Sequence, residues 1–349
     1  MLKKIAYIEL DTHAEITLNF MELIKDSKEF SVDYFFSEKI LRFFGFAQND
    51  ILPENIKKVT PENIIHHLSL ITYDLVIIGT VHRYFNVFEK IVEKYNTAVI
   101  CHNLNFVITS KWDLLKSLFK EDFKYRLKLL LKEGLLRKSE VYQKAKHLLV
   151  LDETMAKDKY KILPVFYTKF SIQQTNEVLT IVIPGAVSQK RRDYERVLKM
   201  LQRTQHDNLD IVFLGKAKGK ELEMLQDFEE NISENISIKY FKEKIPQREF
   251  DEYMQMADIL WCPIQSETEF FSQKEVYGIS KMSGNIGDAI KYSKTAVFPE
   301  TYPSVYDFII QEKGSFQEFI SHKKTPDFSA FSKDKILANL EKSLNQMTS

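Results

Sequence analysis

The sequence predicts an α/β protein of two Rossmann-like domains that face a central cleft. Short apolar, β-branched runs alternate with longer helical patterns along the 349 residues, and this alternation is typical of βαβ units around a parallel sheet. A chain of this length is too long for one hydrophobic core and suits two domains of middling size. The runs form two series, separated by an irregular stretch at 160–178 that contains Pro164. This stretch is therefore the predicted interdomain connection.

The first series contains five predicted strands, each a short apolar run. They lie at 3–10, 31–36, 74–79, 97–102 and 147–152. Helical patterns occur between them, for example at 16–27 and 84–95. In the second of these helices the apolar residues recur at a spacing that places them on one face, namely Phe85, Phe88, Ile91, Val92 and Tyr95.

The second series repeats this architecture with strands at 179–185, 209–215, 236–241, 257–264 and 295–300. A helix at 194–204 follows its first strand, and a last helix at 333–346 is expected to pack back across the molecule. The predicted units are an N-terminal domain of 1–165, a C-terminal domain of 166–330 and a closing helical segment of 331–349. Two such domains leave a cleft between the carboxyl ends of their strands, where α/β proteins usually bind ligands.

Composition narrows the function classes. Lys+Arg and Asp+Glu both number 49, and this zero net charge argues against nucleic acid as a partner. Cys101 and Cys262 each end an apolar run, as small core residues of a reducing compartment do. Glu9 and Asp11 interrupt the first apolar run too early for a signal peptide, and no run reaches the roughly 18 to 20 apolar residues that span a bilayer. We expect a cytoplasmic protein, soluble or peripheral at the inner membrane face.

One insertion departs from the βα rhythm. Residues 110–146 carry eleven Lys or Arg against five Asp or Glu, and the pattern predicts one or two amphipathic helices. Large apolar residues are interleaved with the basic ones, namely Trp112, Leu114, Leu115, Leu118, Phe119, Phe123, Leu127, Leu130 and Leu131. Such a face could rest on an anionic membrane or meet an acidic acceptor. The alternative is an ordinary helical hairpin that packs on its own domain and leaves its lysines in solvent.

A glycine-punctuated loop in the second series, within 275–299, predicts a phosphate site. A helix is expected to begin near Gly287-Asp288, after Gly, Ser and Asn residues, and the free N–H groups at such a helix start bind phosphate. Lys281 could add a positive charge, and Asp288 could accept hydrogen bonds from ribose hydroxyls. The same loop could instead be purely structural, since such loops are common in α/β proteins.

A basic turn follows the first strand of the second series. Gly185 ends that strand, and Lys190, Arg191 and Arg192 precede the next helix. A guanidinium can hold a pyrophosphate and stabilise the charge that develops on a leaving nucleoside diphosphate. The alternative is a plain surface turn, but basic residues at a helix start oppose the helix dipole, which favours the functional interpretation.

Three histidines in the first half follow predicted strands. His13 follows the first, His82 the third and His102 the fourth. Parallel strands direct their carboxyl ends to one edge of the sheet, so a cluster that relays a proton or binds sugar hydroxyls is expected there. Any one of them could be structural, and Asp11 and Glu15 are alternative bases. Beside His82, Arg83 is a further candidate for anion binding.

The 275–299 segment resembles the GT-B glycosyltransferases, especially the large retaining family 4. The order that carries the resemblance is Glu275, Tyr277, Gly278, Asp288, Ala289 and the strand at 296–298. The chain departs from the family pattern by a short insertion, by Asp where Glu is usual, and by Ser293 and Thr295 in the closing turn. The resemblance implies that the C-terminal domain binds a nucleotide-sugar donor through Gly185, Lys190, Arg192, Glu275, Lys281 and Asp288. It also implies a glycan or lipid-linked acceptor on the N-terminal domain and a role in surface polysaccharide synthesis.

Several motifs are absent from the sequence. It has no Walker loop, no GxGxxG after the first strand, no HExxH, no GxSxG and no strand-ending DxD. We therefore expect a metal-independent transfer with no cofactor beyond the donor itself. Two alternatives stay open, a nucleotide-sugar 2-epimerase on the same fold and a non-catalytic homologue that binds a glycan or a partner.

Overall fold

A seven-stranded parallel sheet organises the first half of the chain. The structure is a computed structural model that describes residues 2–170, 177–204, 208–312, 316–321 and 326–349. The strands are β1 (Lys3–Glu9), β2 (Phe30–Phe36), β3 (Ile56–Lys58), β4 (Leu75–Ile78), β5 (Thr97–Ile100), β6 (His147–Val150) and β7 (Tyr160–Ile162), in the order β3-β2-β1-β4-β5-β6-β7. Every residue of β4 and β5 is buried, as is typical of parallel sheets covered by helices on both faces.

A second parallel sheet organises the other half. Its members are β8 (Leu179–Pro184), β9 (Leu209–Lys216), β10 (Ile236–Phe241), β11 (Ile259–Trp261), β14 (Thr295–Pro299) and β15 (Ile309–Glu312), in the order β10-β9-β8-β11-β14-β15. A separate antiparallel hairpin consists of β12 (Glu267–Phe270) and β13 (Gln273–Val276). Both sheets reverse their strand order beside their first strand, at β1/β4 and β8/β11, and such switch points hold the ligands of α/β proteins.

Helices cover both sheets. The first domain contains α1 (Ala14–Ile24), α2 (Glu38–Phe43), α3 (Ile64–Ser69), α4 (Phe85–Lys94), α5 (Leu104–Ile108), α6 (Lys111–Ser117), α7 (Phe123–Lys132) and α8 (Lys138–Lys144). The remaining helices are α9 (Tyr194–Leu201), α10 (Lys220–Asn231), α11 (Gln247–Met256), α12 (Gly284–Tyr292), α13 (Phe316–Ser321) and α14 (Lys333–Thr348). None of the helices among the described residues is both long enough and apolar enough to cross a bilayer.

The ten predicted strands are all present, with ends that differ by up to three residues. Three edge strands, β3, β7 and β15, were not predicted because they are only three or four residues long and partly exposed. The insertion at 110–146 forms three short helices, not the one or two expected, because turns at Phe119–Asp122 and at Gly134 interrupt it. Gly134 has a φ of +71° there, a left-handed conformation that glycine adopts most readily.

The stretch 160–178, expected to be irregular, begins with an ordered segment. Its first residues form β7, and the following alternate residues are buried in the core of the first sheet, namely Leu163, Val165 and Tyr167. The N–H groups of Lys169 and Phe170 then donate to the carbonyl of Lys291 in α12, at 3.0 and 3.1 Å. Part of the stretch, 171–176, lies outside the described residues, and the predicted boundary between 165 and 166 stays a prediction.

The last helix packs back across the molecule, as expected. Four apolar residues of α14 are buried in the core of the first sheet, namely Ile336, Leu340, Leu344 and Met347. The ammonium of Lys3 in β1 donates to Asn345 at 2.7 Å and to Thr348 at 2.9 Å. The two ends of the chain are thereby joined in one domain.

Candidate functional site

The three predicted histidines meet at the carboxyl edge of the first sheet. The rings of His13 and His102 are stacked, with centroids 3.8 Å apart and planes 10° from parallel. The ring of His82 lies edge-on to both, with its centroid 5.9 Å from each. They come together because β1, β4 and β5 are adjacent in the sheet and each is followed by one of these residues. We call these three residues the histidine cluster.

A buried carboxyl group supports the loop that carries His13. Glu9 is only 1% exposed; its Oε1 accepts the N–H groups of Asp11 and Thr12 at 3.0 and 3.2 Å, and its Oε2 accepts the hydroxyl of Thr80 at 2.7 Å. Burial raises the pKa of Glu9 to about 8. A Cβ on Gly79 would lie 2.5 Å from Oε2, so a glycine is required beside this carboxyl group.

His13 itself has a strained backbone. Its φ of +60° is left-handed, and it precedes α1 without donating or accepting a side-chain cap. Such conformations cost about 1 to 3 kcal/mol in non-glycine residues and cluster at functional sites. The hydrogen bonds that Glu9 accepts from the N–H groups of Asp11 and Thr12 hold this loop in place.

The hydrogen-bond partners define which ring nitrogens carry protons. Nδ1 of His13 is 3.1 Å from the Glu15 carboxylate, so Nδ1–H donates to it, and in the neutral ring Nε2 carries the lone pair. Nε2 of His102 is 2.8 Å from the carbonyl of Gly79, so Nε2–H donates and Nδ1 keeps a lone pair. Burial first, then the charges of neighbouring His13 and His82, hold the pKa of His102 well below its usual range. His102 therefore stays neutral near neutral pH, with its Nδ1 lone pair available.

Arg83, a candidate for anion binding, is already paired with carboxylates. Its Nη2 and Nε donate to the two carboxylate oxygens of Glu133 at 2.6 and 3.1 Å, and Nη1 is 3.9 Å from Asp11. Its hydrogen bond to Glu133 is the main cause that raises the pKa of Arg83. This pair fixes α7 to the loop after β4 and leaves Arg83 less free to bind an anion.

In the second domain, Arg192 lies in the loop between β8 and α9. Gly185 follows β8 with a φ of +105°, and any Cβ there would collide with the Arg192 guanidinium. The guanidinium makes only long hydrogen bonds, at 3.3 Å to Asn285 Oδ1 and 3.4 Å to the Ala186 carbonyl. Its buried Nε has no hydrogen-bond partner in the part of the chain that the structure describes. The guanidinium is therefore incompletely paired among the described residues. Lys190, in the same loop, is exposed.

The N-terminus of α12 lies beside Arg192. The helix begins at Gly284, three residues earlier than expected, because Ser283 caps it by accepting the Asn285 N–H at 3.3 Å. Asp288 is therefore in the second turn, where its Oδ2 accepts the Asn285 side-chain amide at 3.0 Å, and burial raises its pKa. Gly287 is required for a different reason, since a Cβ would lie 2.7 Å from the Phe166 ring.

Glu275 and Lys281, both predicted to bind the donor, contact the first domain in this structure. The carboxylate of Glu275 accepts the N–H groups of Phe106 and Asn105 at 2.8 and 3.2 Å, and so caps α5. The ammonium of Lys281 donates to Asn103 Oδ1 at 2.5 Å. We call residues 267–281, which include the hairpin β12–β13, the clasp.

The clasp also covers part of the histidine cluster. The ring of Phe270 lies 4.4 Å from that of His82 and 5.0 Å from that of Phe106. At the tip of the hairpin, Phe271 and Ser272 both have left-handed backbones, and Arg126 of α7 donates to the Ser272 hydroxyl at 2.8 Å. An element of the second domain thus forms one wall of the site on the first.

Sequence reasoning missed Glu9, Asn103, Phe270 and Asn285. Glu9 had a signal, because it is a charged residue at the end of a strand that is otherwise buried. The other three depend on contacts between the domains or between distant loops, for which the sequence has no local pattern. Among the described residues, no group of three or more His, Cys, Asp or Glu side chains is arranged to hold a metal ion.

Comparison with known proteins shows the architecture. No protein-family model matches the chain, and no curated protein matches it. Among solved structures, a glycosyltransferase from Rickettsia africae ESF-5 matches with a TM-score of 0.61 and 8% identity, over 99% of this chain and 98% of that one. Anabaena Alr3699/HepE in complex with UDP matches with a TM-score of 0.58 and 10% identity, over 99% and 100%.

A third match is the UDP-GlcNAc 2-epimerase of Methanocaldococcus jannaschii, with a TM-score of 0.53 and 11% identity, over 98% of this chain and 99% of that one. These likenesses extend over both parallel sheets and nearly the whole length of each chain. The chain has the GT-B fold. The predicted GT-B architecture is confirmed, while a place in family 4 stays a prediction. In this chain the histidine cluster lies on the first domain of the fold and Arg192 lies on the second.

Proposed function

We propose that the protein is a GT-B glycosyltransferase that moves a sugar from a nucleotide-sugar donor to a glycan or lipid-linked acceptor, in surface polysaccharide synthesis. One observation supports this most directly. Residues 281–285 connect the two halves of the site, because Lys281 contacts Asn103 beside the histidine cluster and Asn285 contacts Arg192. The four Cα–Cα steps from Lys281 to Asn285 extend at most about 15 Å, so an anion on Arg192 and an acceptor at the histidines would be near each other.

The donor diphosphate is assigned to Arg192 and the N-terminus of α12. The guanidinium is incompletely paired, and the helix start adds N–H groups and a positive dipole end. These groups would stabilise the negative charge on a leaving nucleoside diphosphate without requiring a metal ion. The structures of HepE contain UDP and UDP-glucose, which supports a nucleotide-sugar donor for this chain. Glu275 is not assigned a donor contact, because both of its carboxylate oxygens bind backbone N–H groups of α5.

The histidine cluster is assigned the role of general base, which accepts the proton of the acceptor hydroxyl. His13 is oriented by the Glu15 carboxylate and keeps a lone pair on Nε2, as a general base does. Its stacking partner, His102, keeps a lone pair on Nδ1. Asp11 is the alternative base; its N–H donates to Glu9, and its carboxylate accepts the Lys39 ammonium at 3.1 Å.

Incubation with a panel of nucleotide sugars tests this function. We expect the release of nucleoside diphosphate to depend on one donor and to increase when an oligosaccharide or lipid-linked acceptor is added. Donor binding without any release, for every acceptor class, would favour the non-catalytic alternative.

A 2-epimerase is the second candidate, and the convergence of three imidazoles with Glu15 supports it. Epimerisation requires several acid and base groups around one sugar, and one of the structural neighbours is named as a UDP-GlcNAc 2-epimerase. Proton NMR of the donor distinguishes the two activities. A donor whose sugar changes configuration at C2 in the absence of acceptor would identify an epimerase.

We propose that helices α6 and α7 bind the cytoplasmic face of an anionic membrane. Large apolar side chains on these helices and in the turn between them are exposed, with Trp112 at 75%, Phe119 at 79% and Leu131 at 74%. The rings of Phe119 and Phe123 stack on each other at the surface. Exposed lysines alternate with the apolar residues along this segment, namely Lys116, Lys120, Lys124, Lys128 and Lys132. Interleaved aromatic and basic residues favour an anionic lipid surface. A second copy of the chain would bring like charges together.

A further inference from the structure

The side chain of Asn103 has an unusual environment. Asn103 occupies the N-cap position of α5, where an Asn side chain usually accepts a backbone N–H, yet its side chain makes no such hydrogen bond. Glu275 of the clasp caps the helix instead. Asn103 is 2% exposed, and a buried amide requires partners for both its oxygen and its nitrogen.

Those partners define the orientation of the amide. Lys281 Nζ is 2.5 Å from one end of it, and an ammonium can only donate, so that end is Oδ1. The other end, Nδ2, is 3.3 Å from His82 Nε2 and donates to it. Nε2 of His82 must therefore be the unprotonated nitrogen, and Nδ1 carries the proton.

We propose that Lys281 is a positioning residue that, through Asn103, selects the tautomer of His82 and so completes the histidine cluster only when the clasp is docked on the first domain. The proposal rests on the proposed function for its catalytic meaning, but the hydrogen-bond chain that carries it does not. Phe270 supports the arrangement, because its ring lies 4.4 Å from that of His82 and limits access of water to the imidazole.

Several contacts show that the clasp docks as a unit. The N–H of Leu104 donates to the carbonyl of Ser280 at 2.8 Å, and the Asn105 side chain donates to the carbonyl of Lys274 at 2.8 Å. Together with the Glu275 cap they fix α5 and the clasp to each other. Lys281 is therefore held over Asn103 by the same contacts that join the two domains.

Long-range ¹H–¹⁵N NMR of protein labelled on its histidine nitrogens tests the proposal without donor or acceptor. The His82 signals are identified by their loss in His82→Gln. We expect the parent to show His82 protonated on Nδ1. Lys281→Met should lose this pattern, because the Asn103 amide can then rotate. Asn103→Asp should move the proton to Nε2, because a carboxylate oxygen would then face that nitrogen.

Two controls keep the test specific. Lys281→Arg keeps a donor and should retain the pattern of the parent, and Lys274→Met removes an exposed clasp lysine and should not change it. The signals of His13 and His102 report whether the cluster is still folded in each variant. A parent with His82 protonated on Nε2, or a Lys281→Met variant that keeps the Nδ1 proton with the cluster folded, would overturn the proposal. A parent that shows the Nδ1 tautomer of His82 but turns over no nucleotide sugar would contradict the proposed function only.

Discussion

Arg192 combines a positive charge, burial of Nε and incomplete pairing, and it is the residue on which the donor site depends most. Arg192→Gln keeps a polar side chain of similar length but removes the charge. We expect weaker binding of nucleoside diphosphate and a fall in turnover of about 10²-fold or more, the usual loss when one preorganised charge donor is removed. Calorimetry measures the binding of nucleoside diphosphate, and an assay of nucleoside diphosphate release from the donor measures turnover.

Arg248→Gln is the matched control for this prediction. Arg248 is an exposed arginine in the same domain, with 91% of its side chain accessible, so its removal should change neither quantity. Equal turnover in folded Arg192→Gln and Arg248→Gln would remove Arg192 from the site.

The raised pKa of Glu9 predicts how the free energy of unfolding depends on pH. Its pKa is raised from about 4.5 to about 8 on folding, so between these values the folded protein keeps a proton that the unfolded chain loses. The stabilisation by this proton is complete below about pH 4.5 and is lost as the pH rises through about 8. In Glu9→Gln the free energy of unfolding should therefore fall less steeply across this window, by up to about 1.4 kcal/mol per pH unit.

Urea unfolding of the parent and Glu9→Gln at several pH values measures this difference. Glu54→Gln, a change at an exposed loop carboxylate, is the control and should follow the parent curve. Parallel curves for Glu9→Gln and the parent would show that Glu9 does not hold a proton in the folded protein.

At the scale of elements, helices α6 and α7 test the membrane proposal. The double variant Lys120→Glu/Lys124→Glu reverses two charges beside the stacked pair Phe119 and Phe123. Since each lysine near an anionic surface contributes about 1 kcal/mol, binding to anionic vesicles should weaken by at least about tenfold. Co-sedimentation with vesicles of anionic or neutral lipid measures it, and raised salt should release the parent.

Lys242→Glu/Lys244→Glu provides the control, since it makes the same charge change at exposed positions in the second domain. Equal binding of both double variants, or equal recovery of the parent with neutral and anionic vesicles, would favour an ordinary helical hairpin with solvated lysines.

The elements also show what the sequence could and could not predict. Central strands such as β1 and β8 were predicted closely because a strand buried on both faces is a continuous apolar run. The hairpin β12–β13 was missed because no residue of β12 is fully buried and its turn, Phe271-Ser272, contains no glycine or asparagine. The start of α12 was misplaced because Gly284 resembles loop sequence, although Ser283 caps it.

At the scale of the whole molecule, the histidine cluster and the loop of Arg192 were predictable because each follows the end of a strand. The contacts between the two domains were not predictable. Each histidine follows its own strand, and the topology alone brings the three together. The contacts of Glu275 with α5 and of Lys281 with Asn103 join residues about 170 positions apart, and nothing local in the sequence records them. Glu275 and Lys281 therefore join the two domains, and their predicted contacts with a donor stay a prediction.

The central claim is that donor binding and proton transfer belong to opposite domains of the GT-B fold. The measurement that tests it most directly is donor affinity by calorimetry beside the transfer rate for His13→Ala, His82→Ala and His102→Ala. We predict that all three keep the affinity of the parent for the donor and that at least one loses about 10²- to 10⁴-fold in transfer, as when a general base is removed. Loss of donor binding in folded variants, or transfer at the parent rate in all three, would contradict the account.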